Sequence, residues 1–277
     1  MEAISEQAFK IIRVSKDGME ETEDDLAVEE PLEIQVEYSS ATGRMRKSIA
    51  VTMRTPGNDK ELATGFLFTE GIINSKQQIH FIRQSYKEDN SVIVILEENI
   101  KPDLKNAARN FYTTSACGVC GKASIEAITA VSVYKNVKDT VTVPVPVFFN
   151  LPVLLRKQQA IFAGTGGLHA SALFDLQGNF LLLREDVGRH NALDKLIGAA
   201  LTDDQLPLNN VILLLSGRAS FELIQKAMMA GIKIVAAIGA PSSLAVELAK
   251  ENNITMIGFL KNDRFNIYSG KERIIHS

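Results

Sequence analysis

The 277-residue sequence predicts an α/β protein in which a smaller, mostly-β N-terminal subdomain precedes a larger region of alternating strands and helices. Between residues 32 and 53, apolar and polar side chains alternate with the period of two that is typical of half-buried antiparallel strands. After residue 169, short apolar runs alternate with helical spacing, a pattern typical of parallel βαβ units. Hydrophobic residues make up 45% of the chain, which is ample for a buried core in one large domain or two modest ones.

The N-terminal half is predicted to form strands around one helix. The predicted strands cover residues 32–38, 49–53, 81–84 and 92–96. The helix is predicted to start at Asn58 or Asp59, either of which can cap it, and to stop at Gly71. Residues 141–147, with Pro144 and Pro146, are predicted to connect the two halves. We therefore predict domains at residues 1–143 and 144–277.

The C-terminal half begins with a predicted hairpin, residues 170–174 and 180–183. Three further strands are predicted at residues 211–215, 232–238 and 254–260, with helices at 193–200, 221–228 and 244–249 between them. Right-handed crossovers would place any ligand at the carboxyl ends of the parallel strands.

The charge and the N-terminal residues exclude several classes of protein. With a net charge of −3, the chain lacks the strongly basic composition of a general nucleic-acid-binding protein. The acidic segment 19–30 is predicted to be a solvated surface segment. The first ten residues, MEAISEQAFK, do not resemble a secretory signal, and no apolar stretch is long enough to span a bilayer. A cytoplasmic protein is therefore expected.

The strongest chemical signal is the pair Cys117 and Cys120, the only cysteines of the chain. A CxxC motif is typical of half a zinc site, of a dithiol redox pair, or of a nucleophilic thiol with a neighbour. A zinc site needs two further ligands, and the preceding TTSA is not the buried strand of a thioredoxin-like unit. The glycine after each cysteine, Gly118 and Gly121, favours a loop, and Lys122 favours the thiolate. Spacing alone makes a thiolate carrier plausible without selecting it.

Three loops before predicted helices or strands are candidate anion sites. Gly166 and Gly167 belong to a glycine-rich turn whose amides can cradle phosphate, although a plain tight turn explains it equally well. Arg189 and His190 lie at a helix start, where amides attract anions, but His190 is equally suited to capping. Arg218 follows the strand at 211–215 and can grip a phosphate with two donors.

Seven ordered segments carry a resemblance over nearly the whole chain. They are RTPGNDKELATGFLFTEGII, SACGVCGK, GTGGLHASALFD, REDVGRHNALDKLIG, LLLSGRASFELIQKA, AAIGAPSSLAVELA and GFLKNDRFNIY. By these the chain resembles the formate dehydrogenase accessory sulfurtransferase family. The resemblance implies that Cys117 carries a persulfide, with Cys120 as an auxiliary thiol. It also implies a cysteine desulfurase as sulfur donor, and the bis-guanine-dinucleotide form of the molybdenum cofactor, destined for formate dehydrogenase, as acceptor.

The same resemblance implies a guanine-dinucleotide site in one short segment. Its residues are Phe259, Leu260, Lys261, Asn262, Asp263 and Arg264. Lys261 and Arg264 can pair with phosphates, Asp263 can accept hydrogen bonds from a guanine edge, and Phe259 can stack on the base. Without the resemblance, a charged exposed turn would be the favoured interpretation. A homodimer is a reasonable expectation, because the N-terminal half has exposed apolar strands.

A cytidine-deaminase-like three-layer core is implied as well. Such deaminases carry H-x-E and P-C-x-x-C zinc motifs, but here the corresponding stretches read His190-Asn191-Ala192 and, at 216–220, SGRAS. We therefore expect no tightly bound zinc. A non-catalytic guanine-dinucleotide chaperone and a zinc-dependent hydrolase remain the alternative functions.

Overall fold

A computed structural model describes residues 4–41, 43–85, 90–102, 104, 134 and 140–276 of the chain. It is a mixed α/β structure, which confirms the predicted fold class. Cys117 and Cys120, and the predicted loop around them, lie outside the described residues.

Two long antiparallel strands, β1 (Glu6–Ser15) and β2 (Gly18–Ala27), form a ribbon of their own. The main-chain N–H of Val28 donates to the carbonyl of Ser5 at 2.9 Å and closes the base of the ribbon. The acidic segment that was predicted to be solvated lies mostly on β2, where nearly every residue is exposed. Its paired strands were not predicted, because the run of charges gives no apolar alternation.

The N-terminal sheet has four strands in the order β4-β3-β6-β5. They are β3 (Glu30–Ser40), β4 (Gly43–Arg54), β5 (Ile79–Ser85) and β6 (Ser91–Leu96). Leu32, Ile34 and Val36 are fully buried on one face of β3, as the alternation predicted.

Helix α1 (Asp59–Thr69) lies close to its predicted bounds. Arg54 at the end of β4 donates to both carboxylate oxygens of Asp59, at 2.9 and 3.0 Å, and so fixes the first turn. The chain leaves the helix through Gly71, whose positive φ of 70° suits glycine.

The predicted connector at residues 141–147 is only partly a connector. After the two-residue strand β7 (Val143–Pro144), helix α2 (Val145–Gln158) begins at once and is followed by α3 (Ala160–Thr165). Pro146 lies in the first turn of α2, where a missing N–H costs no helical hydrogen bond. The prolines therefore mark a helix start, which the sequence interpretation missed.

The central sheet has six strands in the order β13-β12-β11-β10-β8-β9. Its strands are β8 (His169–Asp175), β9 (Phe180–Asp186), β10 (Val211–Leu215), β11 (Ile234–Ala237), β12 (Thr255–Gly258) and β13 (Asn266–Ser269). Strands β10, β11 and β12 are parallel, and the others pair antiparallel. A last strand, β14 (Ile274–Ile275), pairs in parallel with β7.

Helices cover both faces of this sheet. Phe148, Leu151 and Leu155 of α2 pack on one face. The helices α4 (Arg189–Thr202), α5 (Phe221–Met229) and α6 (Ser243–Glu251) pack on the other. The alternation of strands and helices is therefore as predicted, while the deaminase-like description of the core stays a prediction.

The two halves of the chain share a core. One hydrophobic cluster contains Leu32 and Phe68 from the N-terminal half together with Leu196 and Ile224 from the C-terminal half. The contact between α1 and α4 is close, because a Cβ on Gly65 would collide with the carbonyl oxygen of Asp194. The predicted boundary between residues 143 and 144 stays a prediction. Among the described helices, none has the length and apolar character to cross a bilayer.

A candidate binding cleft at the carboxyl edge of the central sheet

A cleft of about 770 Å³ lies at the edge of the central sheet where the parallel strands end. Ser216, Ile238 and Lys261 line it, and they follow β10, β11 and β12. Strand β8 runs antiparallel to β10, so its first residue, His169, reaches the same edge. Ligands of open α/β sheets bind at this edge, and the volume is within the range of small-molecule sites.

The opposite wall comes from two helices that the sequence interpretation missed. The residues of α2, α3 and their junction that line the cleft are Pro152, Leu155, Arg156, Gln159 and Phe162. The guanidinium carbon of Arg156 lies 5.3 Å from the centre of the Phe162 ring, which holds this cation at the wall. A helical spacing does run from Phe148 through Leu151 to Leu155, but the neighbouring prolines obscure it.

The segment that follows β12 folds back sharply into the cleft. Phe259 adopts a positive φ of 53°, and its N–H donates to the carbonyl of Gly239 at 3.1 Å. The N–H of Lys261 donates to the carbonyl of Arg264 at 2.9 Å and closes a tight turn. This turn brings Lys261, Asn262 and Asp263 to the cleft, while the buried Leu260 forms part of its floor.

Six of the predicted binding residues line the cleft, and five do not. Those that line it are Gly166, Gly167, Leu260, Lys261, Asn262 and Asp263. Those outside are Phe259, Arg189, His190, Arg218 and Arg264. The side chain of Arg264 is 69% exposed, and its nearest carboxylate is that of Asp263, 3.9 Å away.

His169 is the histidine that lines the cleft. The Nδ1 of its ring would lie only 3.2 Å from a Cβ on Gly217, so glycine at that position leaves room for the imidazole. Burial lowers the pKa of His169, and the charges of Arg189 and His190 lower it further. The ring is therefore neutral at neutral pH and offers a hydrogen bond without a charge.

His190 belongs to a separate polar network at the start of α5. Its Nε2 lies 3.3 Å from both the Ser220 hydroxyl and a carboxylate oxygen of Glu222. The hydrogen bond to His190 lowers the pKa of Glu222 to about 2. The stretches 190–192 and 216–220 thus meet in space. Within the described ranges, which omit both cysteines, no group of three His, Cys, Asp or Glu side chains is arranged to hold a metal.

The charges along the cleft favour an anionic ligand. Two of its lining residues, Arg156 and Lys261, are cations, and one, Asp263, is an acid. The hydroxyl of Ser216 accepts from the N–H of Ala170 at 2.8 Å, which fixes its oxygen while its own proton stays available. The cleft therefore combines phosphate-type donors with one carboxylate acceptor.

Comparison with known proteins gives consistent matches over nearly the whole chain. A protein called sulfur carrier protein FdhD from Mycolicibacterium paratuberculosis is 51% identical over 257 residues, which are 90% of this chain and 91% of that protein. The protein of the same name from Picrophilus torridus is 44% identical, over 91% of this chain and 92% of its own length.

A solved structure from Desulfotalea psychrophila, assigned as a formate dehydrogenase accessory protein, has the same fold. It covers 98% of this chain and 100% of its own, with a TM-score of 0.74 at 22% identity. The model of the FdhD/NarQ family matches residues 27–275. The chain therefore belongs to the FdhD/NarQ family.

Proposed function

We propose that this protein is a sulfur carrier that serves formate dehydrogenase. It takes a persulfide sulfur from a cysteine desulfurase onto Cys117 and delivers it to the molybdenum cofactor before that cofactor enters the enzyme. The cofactor, in its bis-guanine-dinucleotide form, is the bound substrate. The name sulfur carrier protein FdhD, which the relatives bear, supports the first part of this proposal.

The observation that carries the cofactor part is the cleft itself. Arg156 and Lys261 can neutralise phosphate groups, and the amides of Gly166 and Gly167 can approach them closely. The Asp263 carboxylate can accept from the N–H groups on the edge of a guanine. Adenine has no matching pair of donors, so this acid supports guanine as the base.

The uptake step requires only thiol chemistry. The Cys117 thiolate attacks the outer sulfur of the donor persulfide, a new S–S bond forms on Cys117, and the donor cysteine leaves as a thiolate. Lys122 is two residues from Cys120 in the sequence and would favour the thiolate form. The proposal assigns the reaction to the cytoplasm, where thiols are kept reduced, and to a homodimer.

Mass spectrometry tests the uptake step. After incubation with a cysteine desulfurase and cysteine, Cys117 should gain the mass of one sulfur atom, and reducing agent should remove it. Cys120→Ala should still gain the sulfur, whereas Cys117→Ala should not and should fail to support formate dehydrogenase. A Cys117→Ala protein that supports the enzyme fully would instead establish the non-catalytic chaperone function.

Calorimetry with GDP and ADP tests the cleft. GDP should bind more tightly, and Lys261→Ala should weaken both nucleotides by about tenfold or more, because a charge-assisted hydrogen bond is lost. Asp263→Asn should reduce the preference for GDP. Lys250→Ala, which removes an exposed lysine on α6, is the matched control and should bind as the unaltered protein does. Equal binding of GDP and ADP would contradict a guanine-specific cleft.

A further inference from the structure

Gln159 occupies the break between α2 and α3, where the two helices of the cleft wall meet. Its main-chain N–H donates to the carbonyl of Leu155 at 3.2 Å, and its own carbonyl accepts from the N–H of Ala163 at 3.1 Å. The residue is only 4% exposed, yet it lines the cleft. Its backbone is therefore fixed from both helices, and its side chain is enclosed beside the space for the ligand.

The side-chain amide of Gln159 is not used by the fold. Within the part of the chain that the structure describes, its nitrogen, Nε2, is buried and has no hydrogen bond of ordinary geometry. The oxygen, Oε1, accepts from no described group and is not closed off from solvent in the same way. An enclosed amide with an unused oxygen at the wall of a cleft is available to a ligand.

The Glu185 carboxylate determines which way this amide points. Its two oxygens accept from the main-chain N–H groups of Ile161 and Phe162, at 3.3 and 3.1 Å, so it is held against the first turn of α3. Burial raises the pKa of Glu185, while these two hydrogen bonds and the nearby Gln159 amide lower it. An ionised carboxylate only accepts hydrogen bonds. The nitrogen of the amide therefore faces Glu185, and the oxygen is left for the cleft.

A guanine base has one more donor on its edge than the Asp263 carboxylate can accept. The edge carries N1–H and the two N–H bonds of the N2 amino group. A carboxylate that accepts from N1–H and from one N2–H leaves the second N2–H unpaired, and an unpaired donor inside a cleft weakens binding. Asp263 lies on the turn after β12, and Gln159 lies on the opposite wall. An acceptor on that wall can take the remaining N–H.

We propose that Gln159 determines specificity for guanine by accepting a hydrogen bond from the N2 amino group at its Oε1, and that Glu185 is the positioning residue that keeps this oxygen directed at the ligand. The inference rests on the proposed function, because it takes the guanine-dinucleotide cofactor as the ligand. Arg156 and Phe162, three residues to either side of Gln159, line the cleft with it. This wall thus supplies a cation for phosphate and an acceptor for the base.

Inosine diphosphate separates this contact from the one to Asp263. Its base, hypoxanthine, has the N1–H of guanine but carries hydrogen in place of the N2 amino group. The Asp263 carboxylate can therefore still accept from it, whereas Gln159 has no donor to pair with. A change in the preference for GDP over inosine diphosphate when Gln159 is substituted reports the contact to Gln159.

Calorimetry of the full chain with GDP, inosine diphosphate and ADP tests the assignment. Gln159→Met keeps the length of the side chain and removes the acceptor. Glu185→Gln keeps an acceptor for α3 but also offers an N–H group, so the Gln159 amide is free to turn over. Gln205→Met, which alters an exposed glutamine between α4 and β10, is the matched control. Circular dichroism checks that each variant is folded.

The unaltered protein and the control should bind GDP more tightly than inosine diphosphate. Gln159→Met should weaken GDP by about three- to tenfold, the effect of one neutral hydrogen bond, and should leave inosine diphosphate unchanged. Gln159→Leu, a second variant without the acceptor, should behave in the same way. Glu185→Gln should reduce the preference for GDP in the same direction by a smaller factor, because the amide can still present its oxygen part of the time.

A folded Gln159→Met protein that binds GDP and inosine diphosphate with equal losses would show that the residue only shapes the wall. That result would overturn the inference and leave a guanine-binding cleft intact. Full preference for GDP in Glu185→Gln would overturn the positioning role of Glu185. If the unaltered protein bound GDP and ADP equally, or bound neither, the proposed guanine-specific cleft would fail and the inference with it.

Discussion

Helix α1 and the β1–β2 ribbon both come from the N-terminal half, but they are held in opposite ways. Leu62, Leu67 and Phe68 of α1 are fully buried, and the helix lies against α4 and α5 of the C-terminal half. The ribbon is anchored at its base and is exposed along its length. The two regions therefore differ in packing although both come from the same half of the sequence: α1 is part of the core that the two halves share, and the ribbon is not. Substitutions in the two regions should therefore differ sharply in their effect on stability.

The largest effect is expected at the buried ion pair between α4 and α5. The ammonium of Lys226 lies 3.0 Å from Asp194 and 2.9 Å from the Thr69 hydroxyl at the end of α1. Burial lowers the pKa of Lys226, but Asp194 and Glu70 raise it above its usual value, so the lysine is charged. Lys226→Met leaves Asp194 buried without its cation and should reduce the free energy of unfolding by about 3–5 kcal/mol.

Urea denaturation measures this loss. Lys250→Met, which alters an exposed lysine, should change the free energy of unfolding by less than about 0.5 kcal/mol. Lys226→Met/Asp194→Asn should recover part of the loss, because it removes the uncompensated charge. If Lys226→Met alone were as stable as the control, α1 would not depend on this network.

The next effect is expected where α1 and α4 touch. Gly198→Ala would place a Cβ against the main-chain carbonyl of Glu61, which cannot rotate away. Helix propensity alone predicts that this change stabilises α4 by about 1 kcal/mol. We expect instead a net loss of about 1–3 kcal/mol, because the helices must separate. Thermal unfolding decides between the two: a raised melting temperature would mean that the helices are free to move apart.

The smallest effect is expected on the ribbon. Ile12→Ala removes a side chain that is 65% exposed and should change the free energy of unfolding by less than about 0.5 kcal/mol. The matched variant Ile34→Ala removes a fully buried side chain of β3 and should cost about 2–5 kcal/mol. Denaturation in urea compares the pair, and equal losses would show that the ribbon is part of the core.

The success of the sequence interpretation follows the strength of the apolar pattern. Strand β3 was predicted from the alternation of its side chains, β10 from a continuous apolar run, and α1 from its capping residues, its apolar contacts and the glycine that ends it. The ribbon was missed because charges occupy β2, and α2 was missed because Pro144 and Pro146 were interpreted as a connector.

Most of the predicted residues that line the cleft come from the segment 259–264, which the family resemblance implied, and the other two, Gly166 and Gly167, come from the glycine-rich turn. Lys261, Asn262 and Asp263 are adjacent in the sequence, and all three line the cleft. Arg156 and Gln159 reach the same cleft only because α2 packs across the sheet. This tertiary contact cannot be predicted from the local sequence pattern. Arg218 and Arg189 were chosen for their positions before helices, but neither lines the cleft, although Ser216 of the Arg218 loop does.

The pairing of β14 with β7 affects the order in which the molecule can be completed during synthesis. Ile274 pairs with Val143, so the strand that leads into α2 gains its partner about 130 residues later in the chain. At the pace of a ribosome, that interval is on the order of ten seconds. Lys261 and its neighbours are also made late. A nascent chain can therefore fold its first sheet long before it has a finished cleft.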